Sequence, residues 1–229
     1  MIFLEELKAQ HPKLENIFEI GAHRGHDIPQ ILNMWPNATI YAFEADPVNY
    51  QICQKKFIGD KRVHVYDYAV IDTTKEVTFN RFYDIKTIPD DQTMVDDNFQ
   101  NTGQGSILKC GTGMKQVFGI NDPIEEFIVS GICLDDFCKN EGGLSIDALF
   151  MDVQGAEMHV FNGCKGLLDT IKATIFEWSS KYVMYDGETD FDFIKLFLEV
   201  RGLREIQREY QSDGYGIYPG LFGDSLFVR

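Results

Sequence analysis

The stretch from Phe18 to Gly25, FEIGAHRG, constrains this chain more than any other, because it ends an apolar strand on a carboxylate and brackets a tight turn with two glycines. Glycine admits backbone conformations and close approaches that a side chain blocks, so Gly21 and Gly25 mark a strand turning directly into a helix. The hydrophobic pattern carries the theme onward. It reads as a strand over 16–20, a helix through about 34 with Pro29 near its start, a strand over 39–43, a helix over 47–57 and a strand over 62–66. That βαβαβ order opens a doubly wound, mostly parallel sheet.

Spacing within the turn bears on the ligand. A dinucleotide site normally carries GxGxxG, so that a pyrophosphate can rest on the helix N-terminus. Here Ala22, His23 and Arg24 separate the glycines, which makes a poorer pyrophosphate cradle and a better match to a cofactor built from an amino acid and a nucleoside. The second strand ends in Phe43, Glu44, Ala45 and Asp46. Glu44 thus falls about 20 residues past the turn, where an acidic residue binds ribose hydroxyls in such folds. Taken singly, the turn is equally a packing device and Glu44 a solvated strand end; their coincidence favours the cofactor reading.

Further along, 75–83 and 124–132 look like additional strands, while 84–115 is polar, rich in Gly, Asp and Asn, and without sustained period. An unpatterned stretch of that length reads as an inserted binding loop, a lid or a disordered segment. Regularity returns with a strand over 146–152, a helix from about Ala156, a strand over 173–178 and a helix over 191–200. Segments 203–210 and 225–228, around a Gly-rich turn at 214–223, read as an antiparallel closing hairpin.

The 229 residues are the size of one α/β domain. With 36 acidic against 21 basic residues, the net charge of -15 disfavours nucleic acid and anionic membranes as partners. No apolar run is long enough to span a bilayer, and the N-terminus lacks the pattern of a secretory signal. The five cysteines are odd in number and form no CxxC pair, which argues against a disulfide framework or zinc cluster and for a reduced, cytoplasmic compartment.

Together, FEIGAHRG at 18–25, YAFEADP at 41–47, YAV at 68–70, LDDF at 134–137, IDALFMDVQGAE at 146–157 and FEW at 176–178 resemble the FkbM-type S-adenosylmethionine-dependent methyltransferases over nearly the whole chain. The resemblance implies a Rossmann-like class I methyltransferase sheet with one antiparallel strand, and O-methylation of a small-molecule acceptor such as a sugar or polyketide. It places Glu19, Gly21, Ala22 and Gly25 on the methionine side of the cofactor and Glu44, followed by Ala45, at the ribose. Asp67, Tyr68 and Ala69 fall near the adenine, and Asp152 faces the methionine amine or the acceptor. Two positions depart from the family: His23 where Asn is usual, and Gln154 where Glu is frequent, the latter removing one acid and weakening the case for a metal. No metal is expected.

An alcohol acceptor must lose a proton, so a base has to stand within hydrogen-bond reach of it. Asp152 and Glu177, at the ends of neighbouring strands, are the candidates by position, and His23 is the candidate among His23, His26, His64 and His159. Asp152 is equally a cofactor-orienting group, Glu177 a capping group, and Glu157 a first-turn acid favoured by its helix dipole. Tyr182, Tyr185 and Ser106 are further candidates near the acceptor. A nicotinamide-dependent oxidoreductase shares the βαβ opening but needs the missing glycine, and a non-catalytic cofactor-binding protein is the alternative from another class.

Overall fold

The computed structural model describes residues 3–82, 103, 105–179, 183–211 and 222–229. In chain order the first half comprises α1 (Leu4–Gln10), β1 (Asn16–Ile20), α2 (Ile28–Met34), β2 (Thr39–Phe43), α3 (Pro47–Lys56), β3 (Val63–Tyr66), β4 (Ala69–Val70), β5 (Lys75–Arg81) and β6 (Lys109–Cys110). The second comprises β7 (Glu125–Ile132), α4 (Leu134–Asn140), β8 (Ala148–Met151), α5 (Glu157–Gly163), β9 (Ala173–Ser179), β10 (Tyr185–Asp186), α6 (Phe191–Glu199), β11 (Arg204–Gln211) and β12 (Phe222–Val228).

Seven strands form the central sheet in the order β11-β12-β9-β8-β1-β2-β3. All pairs from β9 to β3 are parallel, and β12 runs antiparallel to both of its neighbours, so it alone is reversed. The parallel strands are buried on both faces, which is why β8 reads as an unbroken apolar run, Ala148 to Met151. Alternation then assigns the faces. Phe18, Phe43, Leu149 and Phe176 pack on one side with residues of α4, α5 and α6, while Ile17, Ile40, Phe150 and Ile175 pack on the other with α1 and α2. Helices thus cover both faces, the doubly wound class I methyltransferase arrangement.

The two strands that flank the insertion do not join this sheet. β5 pairs antiparallel with β7, and β4 pairs parallel with β7, making a three-stranded sheet. Inside the segment expected to lack structure, β6 pairs with β10, and a π-helical turn spans Met114–Phe118. Gly111 and Gly113 donate to the Met184 and Val183 carbonyls at 2.8 and 2.7 Å, so the end of the insertion is stitched to the chain after β9. Residues 84–102 and 104 of the expected lid, Tyr182, and most of the expected Gly-rich turn lie outside the described residues. Among the described residues, no helix is long and apolar enough to cross a membrane.

Candidate active site

The carboxyl ends of β1, β2, β8 and β9 open into one cavity of about 410 Å³. Such a crevice is where ligands bind in open parallel sheets. Its floor is the turn after β1. Both the Gly21 and Ala22 N–H groups donate to the Phe43 carbonyl at 2.9 Å, which hangs the turn from the end of β2. α2 begins at Ile28 with Pro29 in its first turn, as the sequence pattern suggests, and with Asp27 at its N-cap position. An acid there opposes a pyrophosphate on the helix end.

Gly21 has φ of +78°, and a Cβ on it would lie 1.9 Å from the Asp152 carbonyl oxygen. Its glycine is therefore required by the close crossing of β1 and the end of β8. Gly25, at φ +66°, faces α3 instead, where a Cβ would meet Phe57 at 2.5 Å and Cys53 at 2.9 Å. It does not line the cavity and acts through packing. Asp67 is exposed and also off the cavity wall, whereas Tyr68, Ala69 and Ala45 are on it.

Glu44 lies buried on that wall. One carboxylate oxygen accepts from the His23 N–H at 2.6 Å and the other from the Asp46 N–H at 2.7 Å. Burial pushes its pKa up to about 8 against these two donors. Glu19 is buried on the same wall with one carboxylate oxygen lacking any hydrogen-bond partner, and burial, followed by the nearby Asp27, raises its pKa well above the usual range. Two desolvated acids facing one void, one with an unmet acceptor, call for a ligand that brings donors and positive charge. S-adenosylmethionine has both: ribose hydroxyls, an ammonium and a sulfonium. The residues present fit it.

Beneath this wall, Asp46 caps α3 by accepting from Val48 N–H at 2.8 Å and binds Arg81 bidentately at 2.6 and 2.9 Å. Arg81 also pairs with Glu125. The arginine joins the three-stranded sheet to the cofactor wall.

The opposite wall carries Asp152, which follows β8, and Glu177 in β9. Asp152 is exposed to the void and Glu177 is half-buried beside it. Gln154 bridges them: its amide nitrogen donates to Asp152 at 2.5 Å and to Glu177 at 2.9 Å, and its amide oxygen accepts from the Tyr185 hydroxyl at 2.7 Å. Burial raises both carboxyl groups, Glu177 further because Asp152 and Asp224 add like charge. Asp224, a cavity residue that the sequence pattern did not single out, stands directly opposite Glu177 in the β9–β12 register. Only knowledge of that register could have found it. Ser106 is buried and donates to the Gln154 carbonyl at 2.8 Å.

The His23 ring lines the cavity with its Nδ1 3.4 Å from that of His26, on the cofactor side of the void. His64 is exposed and stacks on Tyr41, and His159 faces Asp72 at 3.7 Å, so neither belongs to the site. Glu157 is buried, not merely at a helix end: it accepts from the Gly155 N–H at 3.1 Å and burial lifts its pKa to about 8. Among the described residues, no group of three or more His, Cys, Asp or Glu side chains is arranged to hold a metal ion.

Comparison with known proteins agrees with this architecture. The methyltransferase FkbM domain matches residues 19–205. The 2-O-methyltransferase NoeI of Sinorhizobium fredii (strain NBRC 101917 / NGR234) is 27% identical over 172 residues, 75% of this chain and 66% of that protein, just under two thirds of its length. Among solved structures, Streptococcus pneumoniae Sp1610, for which tRNA (m1A22) methylation is suggested, aligns with a TM-score of 0.50 at 9% identity, covering 100% of this chain and 70% of that one. A SAM-dependent methyltransferase from Aquifex aeolicus aligns with a TM-score of 0.45 at 12% identity, over 99% and 89% of the two chains.

Proposed function

This chain belongs to the FkbM methyltransferase family with S-adenosylmethionine as its cofactor, and from that premise we propose that it O-methylates a hydroxyl of a small metabolite, as one domain, with Asp152 as general base. The observation that carries the reading is the pair of carboxyl groups Asp152 and Glu177, joined by Gln154 on the cavity wall at the ends of β8 and β9. An oxygen nucleophile needs that base, and an acid-lined void suits a cationic donor.

When bound, S-adenosylmethionine supplies an already activated methyl group on a positive sulfonium. Glu44 would accept hydrogen bonds from the ribose hydroxyls, and Glu19 would face the ammonium end. Gly21, Ala22 and His23 contribute the turn beneath the methionine, with His23 acting through its N–H on Glu44. Ala45, Tyr68 and Ala69, which line the cavity, would face the adenine. Across the void, Asp152 would take the acceptor's hydroxyl proton as that oxygen receives the methyl group the cofactor supplies. Glu177 holds its own proton and donates to the acceptor.

Family membership displaces the oxidoreductase reading. The net charge of -15 supports a metabolite over a nucleic acid acceptor, and the partial match to a 2-O-methyltransferase supports oxygen. Incubation with methyl-labelled S-adenosylmethionine and paired hydroxyl and amine acceptors tests this directly. Label should appear on oxygen, and Asp152→Asn should lower kcat by about 10²–10⁴-fold while cofactor affinity stays close to wild type. Label found only on nitrogen, or an undiminished Asp152→Asn, contradicts the proposal.

A further inference from the structure

Resting on the reading of Asp152 as base, we propose that Gln154 is the positioning residue of this site, its amide turned by the Tyr185 hydroxyl so that Asp152 is kept an ionised carboxylate toward the void while Glu177 keeps the pair's proton. The ionised Asp152 favours one amide orientation. Both N–H groups are spent on carboxyl oxygens, and the oxygen is spent on a hydroxyl donor. A flipped amide would set its oxygen against the ionised Asp152 carboxylate.

The backbone is constrained to match. Gln154 has φ of +54°, in the left-handed region that a non-glycine residue rarely occupies, and Ser106 clamps its carbonyl at 2.8 Å. Strain of this kind persists where the surroundings over-determine it. Ser106 is in turn fixed by the Leu108 N–H at 3.0 Å, and Tyr185 by the β6–β10 pairing, so the returning arm of the insertion holds both handles on Gln154.

Asp152 is the more exposed of the two acids to the void, which favours the charge there and the proton on Glu177. Other groups surround them. Asp224 in β12 and Asp27 beyond β1 raise Asp152, and Asp152, Asp224 and Glu157 in α5 raise Glu177, so the cluster disfavours a second negative charge, while Glu44 after β2 and the neutral Tyr185 hydroxyl in β10 face the same pair. Gln154 supplies the opposing donors. A Glu in place of Gln154 would add a further acid; the amide instead converts two competing acids into one base and one donor.

The test follows the side-chain carboxyl groups by 13C NMR through a pH titration of the free protein, in wild type, Gln154→Leu, Gln154→Glu and Tyr185→Phe. In Gln154→Leu the Asp152 midpoint should rise by about one pH unit, roughly a tenfold change in its protonation equilibrium. It should rise further in Gln154→Glu and by a smaller amount in Tyr185→Phe. An Asp152 midpoint unchanged in both Gln154→Leu and Tyr185→Phe overturns the proposal, and if Gln154→Leu does not fold, Tyr185→Phe decides. None of these outcomes depends on turnover, so failure of the base assignment, read from Asp152→Asn, is seen separately.

Discussion

Gly21 shows how one residue can serve a site through the backbone alone. Its position at φ +78° beneath the Asp152 carbonyl lets β1 and β8 end side by side, which sets a cofactor-side acid and the proposed base on one cavity. Gly21→Ala should therefore destabilise the fold by more than about 1 kcal/mol, read as a lower denaturant midpoint. A variant as stable as wild type would mean that the end of β8 yields easily. The position of Glu19, Gly21 and Glu44 on the cavity wall was legible in the sequence because strand ends and glycine spacing mark it. Gly25 and Asp67 were not, since the same pattern does not reveal which side of a turn or strand end faces the void. Gln154 was visible only as a departure from the family; its bridging role depends on β9 and β10, far away in sequence.

At the scale of elements, the ion pair between Asp46 and Arg81 couples the start of α3 to β5. It connects the three-stranded sheet, which borders the insertion, to the wall that carries Glu44. Arg81→Met should cost about 3–5 kcal/mol, because Asp46 would keep a buried charge without this partner. Thermal melting measures it, and a loss well under 1 kcal/mol would show that α3 and β5 are held together by other contacts. The core strands and their helices followed from apolar runs and periodicity, as did the hairpin of β11 and β12. The pairing of β5 with β7 did not, because strand-forming patterns identify strands and leave partners open. β4, β6 and β10, with two residues each, are too short for any periodicity to register.

Across the whole molecule, acids dominate both the surface charge and the cavity. Burial raises Glu44 and Glu157 to about 8 and Asp152 to about 6, so between the unfolded carboxyl range and about pH 8 the folded protein binds more protons than the unfolded chain. Stability of the ligand-free protein should accordingly fall as pH rises from about 5 to 8 and level off above. A melting temperature that climbs across that window would contradict these environments. A cationic ligand on the same acids reverses the penalty, which makes its stabilising effect larger at the upper end of the window.

The central claim, that this acid-lined cavity binds S-adenosylmethionine through Glu44, is tested most directly by isothermal titration calorimetry of wild type and Glu44→Gln with S-adenosylmethionine, S-adenosylhomocysteine and NAD. Hydrogen bonds to a charged group are worth about 1.5–3 kcal/mol, so Glu44→Gln should weaken both adenosyl ligands by roughly tenfold to a hundredfold, with no measurable NAD binding to either protein. Equal affinity of wild type and Glu44→Gln for S-adenosylmethionine, or NAD binding in its place, would contradict the account.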